Sequence, residues 1–296
     1  MSLSATTSPR PQIGSAGYQK FTRAMNVLMI GLCIGFTVFI LSVLATVTLG
    51  ILWNGFSSLS LNFFTKDFVD VPGEPTGMRN GLLGTAILIG IASAVGVPLG
   101  MLTGVYLSEY SANSKLATPV RFICDVLAGV PSIVVGILGY ELVVRPIGNA
   151  NGWAGAFAMA FIIIPIVART TEEMLRLVPK SYREASIALG ATKGRTILEV
   201  VIPAATGSLV TGVMLAIARV TGETAPLLLT TGFTSALVWN PSEQFPSLTV
   251  LIWKARTGLT PEQRDLAWAG ILVLIALIFT LNLAIRYVTS RQVRLK

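Results

Sequence analysis

Six predominantly apolar stretches, at about residues 26–53, 81–107, 120–140, 153–168, 206–232 and 266–287, punctuate this 296-residue chain. About 20 apolar residues span the hydrocarbon core of a bilayer. A helix is the open-chain form that satisfies its own backbone polar groups there. The pattern therefore predicts an all-α fold, a polytopic transmembrane helical bundle of about six spans. Charged residues make up 12% of the sequence, about half the share in a soluble domain. The fourth stretch is short and interrupted by Pro165, so the polar segment after it is read as a loop, about 169–205. The first stretch is too long for the apolar core of a cleaved signal peptide, follows some 25 mostly polar residues and lacks a small-residue cleavage site. Residues 1–25 are read as a cytoplasmic, disordered tail, and 26–296 as the transmembrane domain.

Charge gives the sidedness. With the amino terminus inside, the inner segments hold 15 Lys and Arg, the outer segments hold 6, and Arg219 lies within a span, which accounts for all 22. Inner loops carry the basic excess, so both termini are expected in the cytoplasm. The net charge of +8 follows this topology and forms no basic groove, which argues against a nucleic-acid partner. The chain has no histidine, and its two cysteines, Cys33 and Cys124, fall in apolar runs. No metal site, cofactor or catalytic residue is expected. A membrane-embedded enzyme would need a nucleophile beside a base, and no such arrangement stands near the intramembrane charges.

Gly96, Gly100 and Gly104 repeat every fourth residue in the second stretch. They predict close helix packing more than the lining of a pathway. Gly129, Pro131, Gly136 and Gly139 predict a bent third span. The outer segment 54–80 is turn-rich, with Pro72, Gly73, Pro75 and Gly77. The outer segment 233–265 carries or adjoins Trp239, Trp253 and Trp268, read as headgroup anchors more than as a lid or docking surface.

The inner loop reads as a two-helix knuckle. Ser181 and Glu184 have capping-box spacing, which predicts a helix from about residue 182, with Glu184, Ala185, Ala188 and Leu189 on one face. Gly190 would end it. Thr192 would cap a second helix bearing Ile197, Val200 and Val201, closed by Pro203. Glu184-Ala185-Ser186, three residues, Gly190, nine residues, Val200, Val201, Ile202 and Pro203 resembles the signature loop of ABC-importer permeases. That pattern is Glu-Ala-Ala, three residues, Gly, nine residues, Ile, any residue, Leu, Pro. The spacing holds, with Ser186, Val200 and Ile202 as mild departures.

The resemblance implies a type I ABC importer permease fold and a docking site for a cytoplasmic ATP-binding subunit, in two copies. Arg183, Glu184, Ala185, Ser186, Ala188, Leu189, Gly190 and Pro203 would make that site, with Arg183 and Glu184 as charges at its edge. No Gly-x4-Gly-Lys-Ser/Thr occurs in the chain, so the ATPase would be a separate polypeptide. A secondary transporter or channel would leave this loop without a use.

In the fifth stretch Arg219 is followed four residues later by Glu223. Charges at mid-membrane are costly and point to function; a structural ion pair between the two is the alternative. The string Ala218 to Leu227 resembles the same segment of phosphate-importer permeases, as do Pro246 to Val250 and Leu266 to Gly270. The likeness covers most of the chain from about residue 80. It implies that Arg219 and Glu223 line the route of phosphate. It also implies a second, different permease subunit, an extracytoplasmic phosphate-binding protein, and surrounding lipid of a bacterial inner membrane. Another oxyanion such as sulfate, molybdate or phosphonate is the alternative cargo.

Overall fold

The structure, a computed structural model, describes residues 16–71, 74, 76–111 and 114–294. Among the described residues there is no β-strand. The helices run in order as α1 (Ala16–Ser58), α2 (Leu61–Thr65), α3 (Arg79–Val105, continued by a π-helical turn Tyr106–Tyr110), α4 (Ala117–Gly129), α5 (Ser132–Gly139, continued by a π-helical turn Tyr140–Val144), α6 (Arg145–Ile147) and α7 (Gly152–Arg176). There follow α8 (Lys180–Ala188), α9 (Lys193–Thr196, continued by a π-helical turn Ile197–Val201), α10 (Ile202–Thr221), α11 (Ala225–Thr230), α12 (Leu248–Arg256) and α13 (Pro261–Arg294). Among the described residues, five helices are long and apolar enough to cross a membrane. A sixth span results if the pair formed by α4 with the segment Ser132–Ile147, bent by 104°, is one broken crossing. The break falls at Val130 and Pro131, where the sequence predicted a bend.

The chain divides into two compact units, one ending at Leu52 and one beginning at Trp53. The first contains most of α1, whose apolar side chains are exposed around its whole circumference, the mark of a helix that is hydrophobic on every side. α1 begins at Ala16, so the last part of the segment read as a disordered tail is helical; residues 1–15, with Pro72, Gly73 and Pro75, lie outside the described residues.

The second unit is built around α7. Its alanines, glycines and isoleucines are buried on nearly every side, so neighbours approach it closely from all directions. The most extensive pairing is with α3. A β-carbon on Gly96 would stand 3.0 Å from Ile163 Cβ, one on Gly100 2.7 Å from Val167 Cβ, and one on Gly104 2.5 Å from Thr171 Cβ. The glycine repeat is thus a packing seam, the arrangement that brings helix backbones together where lipid offers no hydrophobic drive. Gly100→Leu has no room, and overpacking costs about 1–3 kcal/mol. The purified protein is expected to melt about 5 °C lower, while Gly90→Leu, at a glycine with nothing within 4 Å of its β-position, should melt near wild type.

Three expected boundaries differ. α7 continues through Pro165 to Arg176, because the charges after residue 168 pair with one another and with α4 and so need no loop. Pro203 does not close a helix. It sits in the first turn of α10, where a proline is tolerated, and the wider π-helical turn before it gives its ring room. The segment 233–265 is more than a loop: α12 buries Leu248, Thr249, Val250, Leu251 and Ala255 in the bundle. Trp239 and Trp253 remain exposed.

Candidate functional site

α10 presents one exposed face along its length: Ala204, Ser208, Thr211, Leu215 and Arg219, three or four residues apart. Small and polar side chains on a bundle helix are out of place against lipid and suit a protein or water-filled surface. Arg219 is exposed in the last turn of the helix, whose last residue is Thr221. Glu223 lies beyond that end, half-buried, with its N–H bonded to the Val220 carbonyl at 3.1 Å. The i,i+4 ion pair offered by a continuous helix is therefore not formed. Among the described residues neither side chain has an ionic partner. Gly222 caps α10 in a non-helical conformation and Pro226 opens α11, so the backbone breaks between the two charges.

The break is held from outside. Thr249 of α12 donates its hydroxyl to the Glu223 carbonyl at 2.9 Å, and the Leu248 N–H donates to Thr85 of α3 at 2.8 Å. α11 then packs on α5, the second half of the other broken helix. A β-carbon on Gly136 would meet Pro226 Cα at 2.7 Å, and one on Gly139 would meet Thr230 Cγ2 at 3.0 Å. Two interrupted helices are thus side by side, with Arg219 immediately before one interruption. Discontinuous helices of this kind bring backbone and charge together at membrane depth. Thr85 carried no motif in the sequence, and Thr249 fell within the Pro246 to Val250 segment without a role assigned to it.

The basic end of the bundle is organised by buried carboxylates. Glu172 of α7, with 1% of its side chain exposed, takes Arg121 of α4 at 2.7 Å, Arg176 at 2.6 Å and Arg169 at 3.2 Å. Arg169 also reaches Asp125 at 3.0 Å and Glu173 at 3.9 Å. Three arginines face three carboxylates, so the cluster is balanced and ties α4 to α7.

The knuckle follows. α8 buries no residue, and Glu184, Ala185, Ile187, Ala188 and Leu189 are exposed. The expected capping box is absent: α8 starts at Lys180 behind Pro179, and Ser181 makes no cap. Gly190 does end the helix, in the left-handed region at φ 86°. Its N–H donates to the Ile187 carbonyl at 2.9 Å, and the Ala191 N–H to that of Ser186 at 3.2 Å, which satisfies two end carbonyls. Thr192 accepts from the Arg195 N–H as expected of a cap, and Ser186 bonds Thr196 at 2.9 Å, which closes the two helices on each other. Arg183 departs from its expected place. It turns inward to Glu109, at the end of α3, at 2.6 Å, so it is no edge charge; Glu184 remains one.

Residues 96–294 match the family model of the binding-protein-dependent transport system inner membrane component. The phosphate transport system permease protein PstA of Haemophilus influenzae is 39% identical over 261 residues, 88% of this chain and 92% of that protein. The protein of the same name from Yersinia pestis is also 39% identical over 261 residues, 84% of this chain and 88% of that protein. Among solved structures, a chain of a bacterial alginate ABC transporter in complex with an alginate pentasaccharide-bound periplasmic protein superposes with a TM-score of 0.65 at 13% identity. That match covers 93% of this chain and 97% of that one.

Proposed function

This chain belongs to the binding-protein-dependent transport system inner membrane components, among the PstA permeases, and on that premise we propose how it moves phosphate. It is a multi-pass membrane protein, the permease subunit of an ABC importer for inorganic phosphate, and the ATPase of that importer is a separate chain. The observation that carries the route is the unpaired, exposed Arg219 at a helix break, at the end of a small and polar face of α10. A desolvated phosphate needs a cation, and the arginine fork offers parallel donors to two of its oxygens. Because Glu223 lies past the break, it leaves that fork free. Its carboxylate repels the passing anion and limits how tightly Arg219 can hold it.

The exposed face of α10 is the side on which a second, different permease completes the route. The exposed face of α8 docks the ATP-binding subunit, one of two copies in the complex. The excess of Lys and Arg on the knuckle side supports a cytoplasmic location for that side and both termini, within a bacterial inner membrane. A binding protein delivers phosphate from the opposite side.

Purification of the tagged chain from its native membrane is expected to bring down an ATPase and a second permease. Reconstituted with the binding protein, the complex should take up phosphate, and excess sulfate, molybdate or phosphonate should leave that uptake unchanged. Uptake without ATP, or equal competition by another oxyanion, would overturn the assignment.

A further inference from the structure

We propose that Glu109, in the π-helical turn that ends α3, is the positioning residue through which the docking helix α8 moves α3. α8 has no apolar anchor of its own. Its attachments are its chain connections, Ser186 against Thr196, and Arg183. Arg183 makes the one long reach. Its Nη2 and Nε donate to the two carboxylate oxygens of Glu109 at 2.6 and 3.1 Å. Its remaining bonds go to the Val178 and Leu175 carbonyls, at 2.7 and 2.8 Å, at the end of α7. One guanidinium thus joins α8, α3 and α7 at a single point.

The Glu109 side chain is only 7% exposed, and the hydroxyl of Ser108 donates to it as well. A forked, largely desolvated pair is stiff, since the planar guanidinium holds both carboxylate oxygens at once. The next residue does a similar job for α9: the Lys193 ammonium lies 4.3 Å over the centre of the Tyr110 ring. Consecutive residues of one π-helical turn therefore hold both helices of the knuckle. Such turns recur at functional sites in helices.

The chain joins the knuckle to the bundle at both ends, from α7 into α8 through residues 177–179 and from α9 into α10, the helix of Arg219. Its side-chain links to the end of α3 are this ion pair and Lys193 over Tyr110. With the ion pair cut, the docked ATPase would still pull on α7 and α10 through the chain, and α3 would lag behind them.

The proposal rests on the docking of an ATPase at α8, which phosphate-stimulated ATP hydrolysis by the wild-type complex tests by itself; its absence there refutes docking. In proteoliposomes holding the full complex, Glu109→Gln is expected to lower phosphate moved per ATP hydrolysed by about tenfold, with the ATPase still bound. Arg183→Lys, which keeps the charge and loses the fork, should lower the ratio in the same direction. An unchanged ratio in Glu109→Gln overturns the proposal, and so does a parallel fall in uptake and hydrolysis that only tracks the amount of assembled complex. If Glu109→Gln fails to assemble, an unchanged ratio in Arg183→Lys has the same force.

Discussion

Arg219→Gln is expected to lower phosphate uptake about a hundredfold, to near background, with the complex assembled and its ATPase bound. Hydrogen bonds to a charged group are worth about 1.5–3 kcal/mol each. Two of them, lost from a desolvated anion with no other cation at hand, account for that factor. Glutamine keeps some donor capacity but is shorter and neutral, so the loss reports charge, fork and reach together. Arg219→Lys should fall between the two, because an ammonium is a point charge without the parallel donors. Assembly should survive both changes, since the Arg219 side chain is exposed and has no ionic partner among the described residues. Glu223→Gln should act the other way on binding. With the repelling charge removed, phosphate is held longer, so apparent affinity rises while maximal uptake falls. Radiolabelled phosphate uptake in proteoliposomes reads all three, and full transport by Arg219→Gln would remove Arg219 from the route.

The same two residues mark where sequence reasoning stops. Apolar length located the crossings, the four-residue glycine repeat gave the α3–α7 seam, and Gly190 announced its own left-handed turn, because each signal lies within one helix or one turn. The sequence leaves the relation of Arg219 to Glu223 open for a local reason. Four residues apart means one face only if the helix continues, and Gly222 stops it. Glu109 was missed for a different one. Its arginine partner, Arg183, stands 74 residues away, and Arg121 stands 51 residues from Glu172, so no pattern within a loop could find those pairs, whereas Arg169 and Arg176 lie within one turn of Glu172. Charge after residue 168 was read as leaving the membrane, yet within α7 those charges satisfy one another and the helix simply goes on. Arg183 shows the same limit from the docking side. Its neighbours in sequence, Tyr182 and Glu184, are exposed, and only the fold reveals that it turns back.

That division of α8 into an outward face and one inward arginine makes the second large effect specific. Leu189→Asp is expected to abolish co-purification of the ATPase and reduce phosphate uptake to background, with the permease itself folded and inserted. Leu189 is 89% exposed, so removing it leaves no cavity and should leave the permease's own stability near wild type. A leucine side chain that becomes buried on docking contributes about 1.5–3 kcal/mol, and an unpaired aspartate in its place must be desolvated at further cost. The sum exceeds 3 kcal/mol on these figures, roughly a hundredfold or more in affinity. Leu259→Asp is the matched control. That leucine is 95% exposed, between α12 and α13, on the side proposed to face outside. It should leave ATPase binding intact, because no docking helix lies there. Retention of the ATPase by Leu189→Asp would sink the docking assignment, whereas equal loss in both variants would trace the effect to insertion. The contrast with Glu109→Gln is then direct: one change removes the motor, and the other leaves it attached but turning idle.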